Sequence, residues 1–193
     1  NIPWWREQSY YDEPGRGTYK RDGGGVLISQ AIHTLDLAIS LLGDVKDVMV
    51  MAETTKFHKM ESENFVTGGI KFKNSVIASL FASTSVFPGS SESIVLHCEN
   101  ATVKLEAGTL IINWRNGKKE EFGEESGTGG SADPMAFPFD WHKDLILNFA
   151  KSINTNKKFE ITGKEALKVH YLIDAMIESC LLYTSDAADD CEG

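Results

Sequence analysis

Cysteine is scarce in this sequence of 193 residues, and its cations are outnumbered by its acids. The three cysteines, Cys98, Cys180 and Cys191, are odd in number and widely spaced. This spacing argues against a disulfide framework or a zinc knuckle and predicts reduced thiols in a cytoplasmic protein. Lys and Arg total 19 against 28 Asp and Glu, which gives a net charge of -9. Because the cations are scattered along the chain, a nucleic-acid partner is not expected.

Long apolar runs are also lacking. No stretch of about 18 uninterrupted apolar residues is present, so no membrane partner is expected, and the start of the chain does not resemble a signal peptide. The chain does not begin with Met, and its opening is expected to come from the middle of a longer protein. The closing "LLYTSDAADDCEG" breaks the helical pattern and carries four acids but no base. Residues 181–193 are therefore expected to be a non-native or disordered tail.

The remaining residues, 1–180, have the length and the apolar content to form one domain. Apolar residues recur at spacings of three and four after a glycine triplet, which predicts a helix over about Val26 to Leu42 that Gly43 ends. Residues 45–122 then alternate with a period of two. Four turn signals divide this stretch, namely Lys73-Asn74, Glu99-Asn100, Ala107-Gly108 and Asn116-Gly117.

Two helices are predicted near the end of the chain. Trp141, Leu145 and Phe149 recur every four residues in the first, and Thr162 with Glu165 forms a capping box for the second. The Gly- and acid-rich stretch 123–136 between sheet and helices is predicted to be a mobile loop. The predicted fold is α+β, an open antiparallel sheet with helices packed on one face. Its other face is predicted to meet a partner subunit.

The segment "GGGVLISQAIHTLD" contains the main candidate for chemistry, His33. Glycines at the start of a helix let the backbone approach a ligand and leave amide N–H groups free for an oxyanion or hydroxyl. Ser29 and Gln30 lie four and three residues before His33, so helical spacing places them on the same stripe. Histidine is a natural proton acceptor for an alcohol oxidised near neutral pH. The structural alternative is a ring that hydrogen-bonds Asp36 or a carbonyl within a helix–sheet contact.

Two further residues are candidate substrate ligands. Arg16 lies between two glycines and could hold a phosphate or carboxylate through two hydrogen bonds, or pair with an acid of the chain. Tyr11 could form an aromatic wall for a sugar ring, or anchor its loop to the core.

The stretch "YYDEPGRGTYKRDGGGVLISQAIHTLDLAISLLGDV" resembles the start of the C-terminal domain of the Gfo/Idh/MocA family. The similarity extends through "NSVIASLFAST" to "WHKDLILNFAKSI" and "ITGKEALKVHYLIDAMIES". The resemblance implies a GAPDH-like or dihydrodipicolinate-reductase-like domain of an oxidoreductase that uses NAD or NADP on a sugar, cyclitol or sugar nucleotide. The cofactor loop and a catalytic Lys would belong to an N-terminal Rossmann domain absent here. The fragment alone is then expected to be inactive, and a homodimer or homotetramer is implied.

By this resemblance His33 matches the active-site histidine of the family. The position four residues before it is often Asp or Asn in the family and is Ser29 here, so an Asp–His pair is lost. His142 matches a substrate-facing ring at a helix start, although it could be a surface cap. Two rivals stay open. One is a non-catalytic binding or oligomerisation module on the same fold. The other is a metal-dependent hydrolase or isomerase built on His33, Asp36 and His142, although no metal site is expected from the spacing.

Overall fold

The computed structural model describes residues 1–124, 139–159 and 161–182. Most of the predicted loop 123–136 and residues 183–193 of the predicted tail lie outside this part of the chain. The elements are, in chain order, β1 (Ile2–Pro3), α1 (Gln8–Tyr11), α2 (Tyr19–Asp22), a π-helix (Leu27–Ala31), α3 (Ile32–Leu42), β2 (Val45–Glu53), β3 (Phe65–Phe72), β4 (Ile77–Ser83), β5 (Ser93–His97), β6 (Ala101–Glu106), β7 (Thr109–Trp114), β8 (Lys119–Phe122), α4 (Asp140–Asn154) and α5 (Gly163–Leu182).

The strands form two four-stranded sheets and confirm an α+β fold with mainly antiparallel sheets. Sheet 1 has the order β1-β4-β3-β2, with β1 parallel to β4 and the other pairs antiparallel. Sheet 2 is the antiparallel meander β5-β6-β7-β8. All four predicted turn pairs connect neighbouring strands.

The division into two sheets differs from the single meander that the alternation predicts. The reason lies in the N-terminal segment, because β1 pairs with the edge of β4 that β5 would otherwise extend. After β4 the chain continues along this segment, where Ser90 N donates to Pro3 O at 2.8 Å and Ser93 N to Asn1 O at 2.8 Å. The first residues of the chain therefore lie between the two sheets.

The core lies between one face of sheet 1 and the layer formed by the π-helix, α3 and α5. Leu27, Ala31, Leu35 and Ile39 recur every four residues and face strand residues such as Phe72. The α5 helix closes this layer with Val169, Leu172, Ile173 and Met176. Tyr19–Leu42 is long and apolar enough, by length and composition alone, to cross a membrane. Its apolar stripe is instead packed in this core.

Helix ends follow the predicted signals. Gly43 caps the C-terminus of α3 with φ 87° and donates its N–H to Ile39 O at 2.8 Å. At α5 the Glu165 N–H donates to Thr162 Oγ1 at 3.4 Å, as the capping box predicts. The helix continues to Leu182, so it includes the first two residues of the predicted tail.

Candidate active site

A glycine turn, residues 23–25, joins α2 to the π-helix, and glycine is required there for two different reasons. Gly23 and Gly24 have φ values of 81° and 150°, which other residues rarely adopt. Gly25 has no such φ, but a Cβ on it would lie 1.8 Å from the Glu63 carbonyl oxygen. Position 25 therefore accepts only a residue without a side chain.

Glu63 accepts hydrogen bonds from the backbone amides that the sequence predicts to be free for a ligand. Its carboxylate accepts hydrogen bonds from Gly25 N at 3.1 Å and Leu27 N at 3.2 Å. Its backbone carbonyl accepts a third from Val26 N at 2.8 Å. The prediction of open amides at this turn is wrong for these three groups, because an acid of the chain occupies the position of an external anion.

The helix begins as a π-turn, and this changes which side chains share a face. A π-turn has i→i+5 bonding and is wider than an α-turn, and such turns occur frequently at functional sites. Ser29 and His33 are exposed, whereas Gln30 is buried. The prediction that all three polar side chains share one face of the helix is therefore wrong for Gln30. The Ser29 hydroxyl donates to Gly25 O at 2.6 Å and also contacts the Gln30 amide oxygen.

His33 is exposed in the first turn of α3 and borders two clefts. The α3–α5 cleft has a volume of about 610 Å³, and its polar lining includes Asp36, Lys168 and His170. The α3–β5 cleft has a volume of about 190 Å³ and includes Thr34. The ring therefore does not lie in the helix–sheet core that the structural alternative requires.

Tyr11 is not at either cleft. The residue is only 9% exposed, and its hydroxyl shares a 2.6 Å hydrogen bond with Thr84 Oγ1. The ring also packs against His58, with centroids 4.8 Å apart. The geometry therefore favours the anchoring alternative over a sugar-binding wall, because a buried ring offers no free face.

Arg16 belongs to a surface network of its own loop. Its guanidinium lies 4.8 Å from the centre of the Tyr10 ring and donates to the Tyr10 hydroxyl at 3.2 Å. Its Nε is 3.4 Å from a Glu13 carboxylate oxygen. The side chain is partly exposed, and in this structure it pairs with an acid of the chain, which is one of the two alternatives that the sequence leaves open.

His142 is exposed near the start of α4. The two clefts beside His33 have no lining residue from α4 in the described part of the chain. The structure therefore does not bring His142 together with His33 and Asp36. In addition, the described residues contain no cluster of three or more His, Cys, Asp or Glu that could hold a metal ion.

Burial raises the pKa of the Glu63 carboxyl, although its backbone hydrogen bonds oppose this shift. A raised pKa in the folded state means that stability is fully present below the unfolded pKa and is lost as the pH rises through the folded pKa. We therefore expect Glu63→Gln, which cannot ionise, to destabilise the protein more at pH 4 than at pH 7. Urea unfolding at both pH values measures the difference, and an equal or opposite change would contradict it.

The comparisons with known proteins agree on one family. The family model described as the GFO/IDH/MocA C-terminal domain matches residues 1–104, which include the glycine turn, His33 and sheet 1. The chain belongs to this family. The match confirms the resemblance. A search of curated proteins finds no match.

Solved structures of this GFO/IDH/MocA domain's relatives share the fold. The WlbA dehydrogenase from Bordetella pertussis, in complex with NADH and UDP-GlcNAcA, has a TM-score of 0.70 and 23% identity, covering 94% of this chain and 50% of that one. The WlbA dehydrogenase from Chromobacterium violaceum, with the same ligands, has a TM-score of 0.66 and 26% identity, with 92% and 50% coverage. Levoglucosan dehydrogenase in complex with NADH has a TM-score of 0.70 and 16% identity, with 86% and 51% coverage. This chain spans about half the length of these structures.

Proposed function

We propose that this chain is the substrate-binding and oligomerising domain of an NAD- or NADP-dependent oxidoreductase acting on a sugar, cyclitol or sugar nucleotide. The observation that carries the proposal is an exposed His33 beside two clefts in a GFO/IDH/MocA domain. The neighbours that were crystallised with NADH, two of them with UDP-GlcNAcA, support the cofactor and the substrate class.

The described residues are better suited to bind the substrate than to bind the phosphates of the cofactor. A dinucleotide fold binds pyrophosphate on open amides of a glycine-rich turn between a strand and a helix. Here the glycine turn follows α2, and its amides bond to Glu63. A carboxylate at this position would repel a pyrophosphate, so we assign cofactor binding mainly to a domain outside this chain. The chain alone is then inactive.

In this mechanism His33 moves the proton. A bound nicotinamide supplies the hydride acceptor for the carbon that is oxidised. As the carbonyl forms, the substrate hydroxyl loses its proton to an imidazole nitrogen of His33, and the reverse reaction returns it. Ser29 donates its hydroxyl proton to Gly25 O, so it orients the substrate only as a hydrogen-bond acceptor and cannot act as an ionised partner. Arg16 binds an anionic part of a substrate. Gln30 and Tyr11 are buried and His142 lines neither cleft beside His33, so no step is assigned to these three residues.

An assay of the complete protein tests this function. The experiment follows NAD(P)H formation with cyclitols, hexoses and nucleotide sugars, with this 193-residue chain as the inactive control. Turnover in the complete protein alone is expected. No turnover with any class would instead favour the rival function, a non-catalytic binding module, which the replacement of the family's acid by Ser29 suggests.

The outer face of sheet 1 supports self-association. Met49, Met51 and Ile77 are all more than half exposed on this face, and Ile77 reaches 76%. Contiguous exposed apolar side chains are typical of protein interfaces. We therefore assign this face to a second copy of the chain, as a homodimer or half of a homotetramer. Cys98 and Cys180 form no disulfide in the described part of the chain, and we propose a cytoplasmic location.

Ile77→Asp is expected to convert the dimer into monomers, because it would bury an unpaired charge in the proposed contact. Sedimentation velocity of the complete protein measures the change. Val95→Asp, on an exposed position of sheet 2, is the matched control and should leave the mass unchanged. A monomeric parent protein, or a variant that stays dimeric, would contradict the assignment.

A further inference from the structure

Glu63 connects the glycine turn to sheet 1 through three consecutive backbone amides. Gly25, Val26 and Leu27 all donate to it, two to the carboxylate and one to the carbonyl. The donors lie at least 36 residues away in sequence, so this is a long-range connection. An acid at a helix N-terminus also complements the helix dipole.

The backbone next to Glu63 is held by several hydrogen bonds. The next residue, Asn64, is fully buried and accepts a 2.8 Å hydrogen bond on Oδ1 from Thr55 N. Its Nδ2 donates to His58 Nδ1 at 2.7 Å, and His58 Nε2 donates to Arg6 O at 2.8 Å. The chain then enters β3 in sheet 1. Glu63 therefore has little freedom to move with the turn.

The turn is coupled in the other direction to the candidate site. Gly25 O accepts from both the backbone N of Ser29, at 3.1 Å, and its hydroxyl, at 2.6 Å. His33 follows within the next helical turns. A displacement of Gly25 would thus move Ser29 directly and would tilt the start of the helix that carries His33.

From this geometry we infer that Glu63 is a positioning residue of the oxidoreductase site, whose carboxylate fixes the glycine turn and thereby sets the placement of Ser29 and His33. The inference rests on the proposed function. Glu63 is 5% exposed and does not line either cleft beside His33, so it acts through the helix and does not contact substrate. A carboxylate is needed because both of its oxygens accept an N–H, whereas an amide offers one acceptor.

Glu63→Gln in the complete protein tests this inference, because it keeps the volume and removes one acceptor. We expect kcat to fall by about tenfold, since small misplacements of catalytic groups reduce rates strongly. The KM for the nicotinamide cofactor should change less than twofold. Hydrogen exchange of a peptide covering residues 23–33, measured by mass spectrometry, should be faster than in the parent protein.

Val50→Ala is the matched control, because it removes apolar contacts from a buried strand position elsewhere in the core. It should lower the melting temperature while leaving kcat and the exchange of residues 23–33 close to the parent values. Glu63→Asp, which keeps two acceptors on a shorter side chain, should recover part of the rate lost in Glu63→Gln.

Unchanged exchange in Glu63→Gln, or a loss of kcat no larger than that of Val50→Ala, would overturn the inference. The proposed function fails in a different way. If the complete protein shows no oxidoreductase turnover, that function is wrong, while faster exchange in Glu63→Gln would still support the anchoring of the turn by Glu63.

Discussion

His33→Ala is expected to lower the kcat of the complete oxidoreductase by at least about a hundredfold, because a positioned general acid–base group typically contributes this much or more. Steady-state formation of NAD(P)H with the preferred substrate measures the loss. The melting temperature should stay close to the parent value, since the ring is exposed and outside the core. The substitution thus separates chemistry from folding.

His97→Ala provides the control for this experiment. His97 is also exposed, but it lies on β5 and does not line the clefts beside His33. We expect its kcat to stay within about twofold of the parent. A loss of less than tenfold in His33→Ala would remove His33 from the proton-transfer step.

Gly25→Ala is expected to be among the most destabilising single substitutions in the chain. The new Cβ would lie 1.8 Å from the Glu63 carbonyl oxygen and 2.7 Å from both the carbonyl carbon and the Cδ of Glu63. Non-bonded atoms do not approach this closely, so either the turn or the start of β3 must move. The movement breaks the hydrogen bonds of Gly25 and Leu27 to Glu63. We expect a loss of at least about 3 kcal/mol, measured by urea unfolding.

Gly163→Ala is the matched control, because it is the same substitution at a glycine with nothing within 4 Å of the added Cβ. At the start of α5 it should be neutral or slightly stabilising, since alanine favours helix more than glycine. If Gly25→Ala were as harmless as Gly163→Ala, the close packing of the turn on Glu63 would be wrong.

Local signals predict much of the fold. Gly43, the Thr162 and Glu165 pair and the four hairpin turns each act over a few residues, and the structure has them where the sequence predicts. The division into two sheets was not predictable from alternation, because it depends on β1, a two-residue strand that pairs with residues about 80 positions away. Such long-range pairing has no local pattern.

In the candidate site, too, local features could be predicted from the sequence and long-range contacts could not. The glycine triplet makes His33 a candidate and the family resemblance predicts its active-site role, but only the structure shows that it is exposed beside a cleft. Gln30 was misplaced because the π-turn alters the helical period, and nothing in its composition marks that turn. Glu63 was missed because an acid in "ESEN" resembles a solvated loop. Only the tertiary contact with Gly25 shows that it is buried.

The most direct test of the account is a crystal structure of the complete protein with oxidised cofactor and a sugar or cyclitol substrate. The account predicts an imidazole nitrogen of His33 within about 2.6–3.2 Å of the hydroxyl oxygen on the carbon that is oxidised. It also predicts that the Glu63 carboxylate still accepts from Gly25 and Leu27. A substrate bound with His33 outside hydrogen-bonding reach of every hydroxyl, directly or through one water, would contradict the central claim.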